Sequence, residues 1–129
     1  MLNNTLSNAL SKVLNAERAG KDSCEIRPSS STIKRVFEIM KDNGYVGDVD
    51  EHADSRGGRI VVSLIGSINK CGVITPRFPV GKAGYERFEK VYLPAKDFGL
   101  LIVSTPKGLM THLDAKRQGY GGKLVSYCY

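Results

Sequence analysis

The run Ser104-Thr105-Pro106-Lys107-Gly108-Leu109-Met110-Thr111 gathers hydroxyls, a cation and a glycine in one short stretch. Hydroxyls and unengaged backbone N–H groups can reach phosphate, sugar or base edges, Gly108 lets another backbone come close, and Lys107 adds charge. The same residues also suit a solvated turn ending in a helix cap. Upstream, Asn69-Lys70, Arg77 and Lys82 interleave with Phe78 and Tyr85. That mixture grips phosphates while its rings stack on exposed bases. The two rings serve equally well as core residues.

Other constellations fail on chemistry. Ser104, His112 and Asp114 sit close enough in sequence to suggest a serine hydrolase. There is no Gly-x-Ser-x-Gly elbow, Asp114 suits a capping role, and His112 falls at a first helical position where an ordinary exposed histidine is expected. Gly119-Tyr120-Gly121-Gly122-Lys123 imitates a phosphate loop, but Arg117 stands where the first glycine is needed and Leu124 where Ser or Thr is needed. It reads as a glycine turn feeding a strand. His52, beside Glu51 and Asp54, reads as part of a solvated polar loop rather than a metal site. No catalytic set, metal site or cofactor is expected.

Elements must hold the polar run in place. Leu6, Ala9, Leu10, Val13 and Leu14 recur at helical spacing between Asn4 and Arg18, with Gly20 just beyond. A short strand over 23–27 follows, closed by Pro28. Ser29 to Ser31 offer N-caps for a second helix whose stripe is Ile33, Val36, Phe37 and Met40, stopped at Asn43-Gly44. Residues 45–49 and 59–65 read as a hairpin. The first lobe, 1–66, is therefore helix, strand, helix, strand, strand: a small sheet with two helices on one face. Residues 66–93 are broken by Gly and Pro and predict only a short helix around Tyr85, Phe88 and Val91 or Tyr92. The continuously apolar run 98–103 predicts a strand buried on both faces, and 123–129 another. Between them Thr111 caps a short helix through Gln118, with Asp114 reaching back and Gly119 ending it. The second lobe, 67–129, is strand-rich with a short helix, and the whole is an α+β protein of two small lobes.

The 129 residues are 41% hydrophobic and 25% charged, with a net charge of +6. A chain this long buries roughly two-thirds of its unfolded surface without metal or disulfide staples. No apolar run approaches the ~20 residues that span a bilayer and the start lacks a secretion signal, so no membrane partner and a cytoplasmic location are expected. Cys24, Cys71 and Cys128 are odd in number and widely spaced, which suits buried apolar residues rather than a disulfide framework or zinc knuckle. The charge is unevenly divided. Residues 1–66 hold nine Lys/Arg and nine Asp/Glu, whereas 67–129 hold ten and four. The entire surplus falls in the second half, which points to an anionic partner there, most simply nucleic acid.

Several blocks together resemble a known family. They are Leu6-Ser7-Asn8-Ala9-Leu10 through Asn15, Ile26-Arg27-Pro28-Ser29-Ser30, Gly44-Tyr45-Val46-Gly47, the run 66–78, Phe98-Gly99 to Ser104-Thr105, Gly108-Leu109-Met110-Thr111-His112, Ala115 and Gly121-Gly122-Lys123. On these the chain resembles the small-subunit ribosomal protein numbered eight over essentially its whole length. The Asn69-Lys70-Cys71-Gly72 form of the middle block resembles the archaeal and eukaryotic cytosolic branch. Val103-Ser104-Thr105, Met110-Thr111-His112 and the Tyr127-Cys128-Tyr129 ending look more archaeal.

The resemblance implies a non-enzymatic ribosomal constituent that binds the central domain of the small-subunit rRNA, holds a helical junction during assembly, and neighbours other small-subunit proteins. It implies no small-molecule substrate. RNA contacts would fall on Ser104, Thr105, Lys107 and Gly108, on Gly121, Gly122 and Lys123, on Asn69, Lys70 and Arg77, on Ser29 and Ser30, and on Asn4, Asn8, Lys12 and Asn15 of the first helix. The chain departs from the family at Pro106, where Ser is usual; proline removes a hydroxyl and an N–H. A regulator acting on messenger RNA through the same loop is the alternative function.

Overall fold

The structure is a computed structural model. It describes residues 2–27, 31–52, 58–74, 79–81, 84–94 and 99–129, with side chains from Leu6 onward. The chain forms two compact units, Met1–Lys70 and Cys71–Tyr129. Among the described residues no helix is long and apolar enough to cross a membrane.

The first unit follows its hydrophobic spacing closely. Helix α1 (Leu2–Arg18) buries Leu6, Ala9, Leu10, Val13 and Ala16 and packs with strand β1 (Ser23–Ile26). Helix α2 (Ser31–Asp42) buries Ile33, Val36, Phe37, Ile39 and Met40 and packs with strand β2 (Val46–His52). Strand β3 (Arg59–Leu64) pairs antiparallel with both β1 and β2, giving the order β1-β3-β2. Being central, β3 buries its alternate residues Ile60 and Val62 completely. Gly44 ends α2 with φ of 81°, the left-handed conformation that glycine adopts without a Cβ penalty. The expected caps Ser29 and Ser30 lie outside the described residues.

The second unit contains more structure than its sequence suggests. Strands β4 (Cys71–Val73) and β5 (Pro79–Val80) and helix α3 (Tyr85–Tyr92) occupy the segment expected to hold only a short helix. Strands of two or three residues are too short to show an alternation of apolar and polar positions. Strand β6 (Leu100–Thr105) pairs with β7 (Gly108–Thr111), and after helix α4 (His112–Gln118) the chain returns as β8 (Gly122–Cys128). The sheet order is β4-β8-β6-β7, with β5 also paired to β8. Consecutive burial from Leu100 to Val103 fits the two-sided strand expected there. Among its described residues the unit has the two helices expected, α3 around Tyr85 and Phe88 and α4 after the Thr111 cap.

Ile74, Val80, Tyr85, Leu93, Leu101, Val103, Ala115 and Leu124 form the second core. Tyr85, by sequence a candidate for either stacking or core, is fully buried, and its hydroxyl donates to the Tyr120 carbonyl at 2.8 Å. Tyr127 stacks between Tyr92 and Tyr129, with centroids 5.7 and 6.3 Å away. Thr111 Oγ1 accepts the Asp114 N–H at 3.2 Å, and Gly119 closes α4 with φ of 78°. The Asp114 carboxylate lies 3.4 Å from Arg117, one helical turn ahead.

Candidate nucleic-acid interface

The polar run is a tight β-hairpin, where the sequence suggests an open loop. Thr105 pairs with Gly108, so only Pro106 and Lys107 form the turn, and Leu109 and Met110 continue the ladder against Ser104 and Val103. Two local features enforce this. Proline presets φ at the first turn position, and Gly108 takes φ of 108° where a side chain would be strained. Thr105 is 8% exposed, and its hydroxyl is engaged inside the turn. It donates to the Gly108 carbonyl at 2.8 Å and accepts the Lys107 N–H at 3.2 Å. The hydroxyl of Thr105 and the N–H of Lys107 therefore build the turn, which leaves the Thr105 hydroxyl, expected as an RNA contact, engaged within the chain. What the turn offers outward is Lys107, the open approach at Gly108 and the half-buried Ser104.

Strand β8 brings the glycine run to the same end of the sheet. Lys123 is the register partner of both Ser104 on β6 and Pro79 on β5. Gly122 passes so near β6 that a Cβ there would stand 2.3 Å from the Ser104 carbonyl oxygen and 2.9 Å from Val103 Cγ1. Only glycine fits, so Gly122 sets how closely β8 supports the hairpin. The side chains of Lys107 and Lys123 are exposed, and among the described residues no carboxylate pairs with either.

Behind the hairpin lies a buried polar cluster. His112, expected to be exposed, is 1% exposed at the start of α4. Its Nδ1 accepts the Leu101 N–H of β6 at 3.0 Å, so Nε2 carries the ring hydrogen toward Glu89 Oε1, also at 3.0 Å. Lys116 donates to the same Glu89 oxygen. One carboxylate of α3 thus fastens two α4 side chains, and one imidazole ties α4 to β6. The signal lies in helical spacing: Tyr85 and Glu89 are four apart, as are His112 and Lys116, so each pair shares a helix face. The arrangement leaves His112 nothing to offer Ser104 as a general base.

The remaining expected residues are distributed differently. In the first unit Asn8, Lys12 and Asn15 are exposed at i, i+4 and i+7, one face of α1; Asn4 lies in the same helix. Asn69 and Lys70 are exposed at the end of the first unit, just after Ile68, whose N–H donates to Glu17 of α1. Ser29, Ser30 and Arg77 lie outside the described residues, as do Lys82, Phe78 and Asp54. Glu51 and His52 stand exposed at the end of β2, and Glu51 faces Lys34 at 3.4 Å. Among the described residues no group of three or more His, Cys, Asp or Glu side chains is placed to hold a metal ion. The second unit thus brings Ser104, Thr105, Lys107, Gly108, Gly122 and Lys123 together, with Gly121 adjoining them in the chain.

With the unit boundary at Cys71, residues 71–129 hold nine Lys/Arg against four Asp/Glu. Lys116 and Arg117 are engaged by carboxylates within the unit, which leaves the hairpin end among its cationic surfaces. The family model described as Ribosomal protein S8 matches residues 4–129. The match spans both units and every expected RNA-binding residue, and the chain belongs to the ribosomal protein S8 family.

Proposed function

We propose that the protein is a structural constituent of the small ribosomal subunit that binds a helical junction in the central domain of the small-subunit rRNA. Family membership supports an rRNA-binding structural role. The observation that carries the finer reading is the convergence of Ser104, Lys107, Gly108 and Lys123 at one end of the sheet. Two cations grip phosphates, while the Ser104 hydroxyl and the uncovered backbone at Gly108 meet sugar and base edges. Thr105 and Gly122 contribute by shaping that end, and Gly121 extends it.

The polar face of α1, with Asn8, Lys12 and Asn15, offers a second set of RNA contacts in this reading, and Asn4, Ser29, Ser30, Asn69, Lys70 and Arg77 are further expected contacts. Neighbouring small-subunit proteins are the other partners, the cytoplasmic ribosome is the location, and no catalysis is involved. The Asn69-Lys70-Cys71-Gly72 block and the Tyr127-Cys128-Tyr129 ending support a place in the archaeal and eukaryotic branch, on its archaeal side.

Competition binding tests the reading. The intact protein is titrated onto a transcript containing the central-domain junction against excess random duplex, over a range of salt. Selective retention of the junction at salt that releases the duplex is the expected result. Equal loss of both at every salt concentration would reduce the interaction to general charge attraction and defeat the proposal.

A further inference from the structure

Cys71 and Cys128 stand at opposite ends of the second unit's sequence, yet they are register partners across β4 and β8. The ladder determines what kind of pair they form. The Ile74 N–H donates to the Val125 carbonyl at 3.0 Å, which makes Ile74 and Val125 a hydrogen-bonded pair. Pair types alternate along an antiparallel ladder, so Gly72 and Tyr127 are hydrogen-bonded and Cys71 and Cys128 are not. In a non-hydrogen-bonded pair the Cα atoms approach to about 4.5 Å and the side chains lie on the same face, within the range a disulfide spans. Both residues are buried thiols on that face.

From this geometry we propose that Cys71 and Cys128 are a disulfide-forming modification site, a covalent clamp between the first and last strands of the second unit. The inference is independent of how the protein binds RNA. The oxidant is a small-molecule disulfide of the glutathione class. Cys71, on the three-residue edge strand, loses its proton and attacks one sulfur of the oxidant, releasing one thiol. The Cys128 thiolate then attacks Sγ of Cys71 and displaces the second thiol. The protein loses two hydrogens and the oxidant gains them, with one disulfide formed and one broken.

Burial sets the rate. It pushes the Cys128 thiol far above its usual range, so the nucleophilic thiolate is scarce while the sheet is closed. Reaction proceeds through local opening of β4, which among the described residues pairs only with β8. Cys24 is the internal control: its register partner is Val62, and it is buried in the first unit.

The full-length protein is incubated with oxidised glutathione, the remaining thiols are alkylated, and the peptides are mapped by mass. A single bridge joining Cys71 to Cys128, with Cys24 alkylated, is expected. The bridged protein should melt at a higher temperature than the reduced form, and reducing agent should remove that difference. In Cys128→Ser nothing resolves the first step, so the oxidant should stop at a glutathione adduct on Cys71 and bring no rise in melting temperature. In the parent chain, persistent glutathione adducts at either cysteine, a bridge to Cys24, or three alkylated thiols under conditions that bridge a urea-unfolded sample would each overturn the proposal. So would a bridge that leaves the melting temperature where it was.

Discussion

The two units solve the same packing problem with different materials. In the first, two helices lay apolar stripes on a three-stranded sheet, and the ion pairs among the described residues are peripheral: Glu25 with Arg27 and Arg59, Lys34 with Glu51, Lys41 with Asp48. In the second, strands buried along consecutive residues are joined by internal polar fastenings: Tyr85 to the Tyr120 carbonyl, Glu89 to His112 and Lys116, Thr105 to its own turn. Exposed pairs contribute little because water competes for each charge, whereas buried polar groups are costly to leave unmatched. The unit that carries the positive surplus is therefore also the one whose shape depends on specific polar contacts. In the proposed reading, a hairpin that presents Ser104 and Lys107 in fixed positions gains from such a support.

The sharpest way to break the comparison is at glycine. Gly122→Val in the second unit drives a side chain into the Ser104 carbonyl and should lower stability by about 3 kcal/mol and weaken RNA binding with it. Gly20→Ala in the first unit has φ of 75° and open space around its Cβ, so it carries backbone strain alone, on the order of 1 kcal/mol. Chemical denaturation of both variants measures the contrast.

Carboxylates give the next test. Glu89→Ala strands the His112 Nε2–H in a buried site and should cost about 1 to 3 kcal/mol. Glu25→Ala in the first unit removes a carboxylate bridging two exposed arginines, and its thermal melt should match the parent's at neutral pH.

Alkali sharpens the contrast by pH. Burial raises the Tyr85 and Tyr127 phenols and the Cys128 thiol above their ordinary values. A group whose pKa is raised in the fold binds more protons folded than unfolded above its unfolded pKa, so stability falls as pH rises. Loss should begin near the ordinary thiol range, about pH 8.5, and steepen past about pH 10 as tyrosines ionise in the unfolded chain. Tyr85→Phe should flatten the upper part of that decline. In the first unit Arg27, with Arg59, holds the Glu25 carboxyl below its usual range, but water screens this exposed pair, so its protonation in acid should change stability little. Thr111→Ala removes the α4 cap, should cost about 0.5 to 2 kcal/mol, and should weaken RNA binding only through stability.

How far the sequence can be read differs between the units for the same physical reason. Helices α1 and α2 declare themselves because long amphipathic stripes repeat a period over several turns, and the β2–β3 hairpin follows from two apolar runs around a polar loop. Strands β4 and β5 are too short to carry a period, and β7 hides inside a hydroxyl-rich run whose pairing comes from the tertiary ladder. The exposed cations of the candidate interface, Lys107 and Lys123, are legible as polar residues in glycine-containing runs. The burial of His112 is not, because its partners Leu101 and Glu89 come from different elements and meet only in the folded unit. Gly122 is visible as a glycine, but its task of admitting the Ser104 backbone belongs to a meeting of strands that no local pattern encodes.

The most direct measurement of the central claim is the salt dependence of binding to the rRNA junction for three chains: parent, Lys107→Ala with Lys123→Ala, and Ser104→Ala. The lysine pair should reduce the slope of log affinity against log salt by roughly one unit for each phosphate that is no longer neutralised. Ser104→Ala should weaken binding at every salt concentration and leave the slope unchanged, since it removes a hydrogen bond and no charge. An unchanged slope for the lysine pair, together with parent affinity for Ser104→Ala in a folded protein, would place the RNA-binding surface elsewhere and contradict the account.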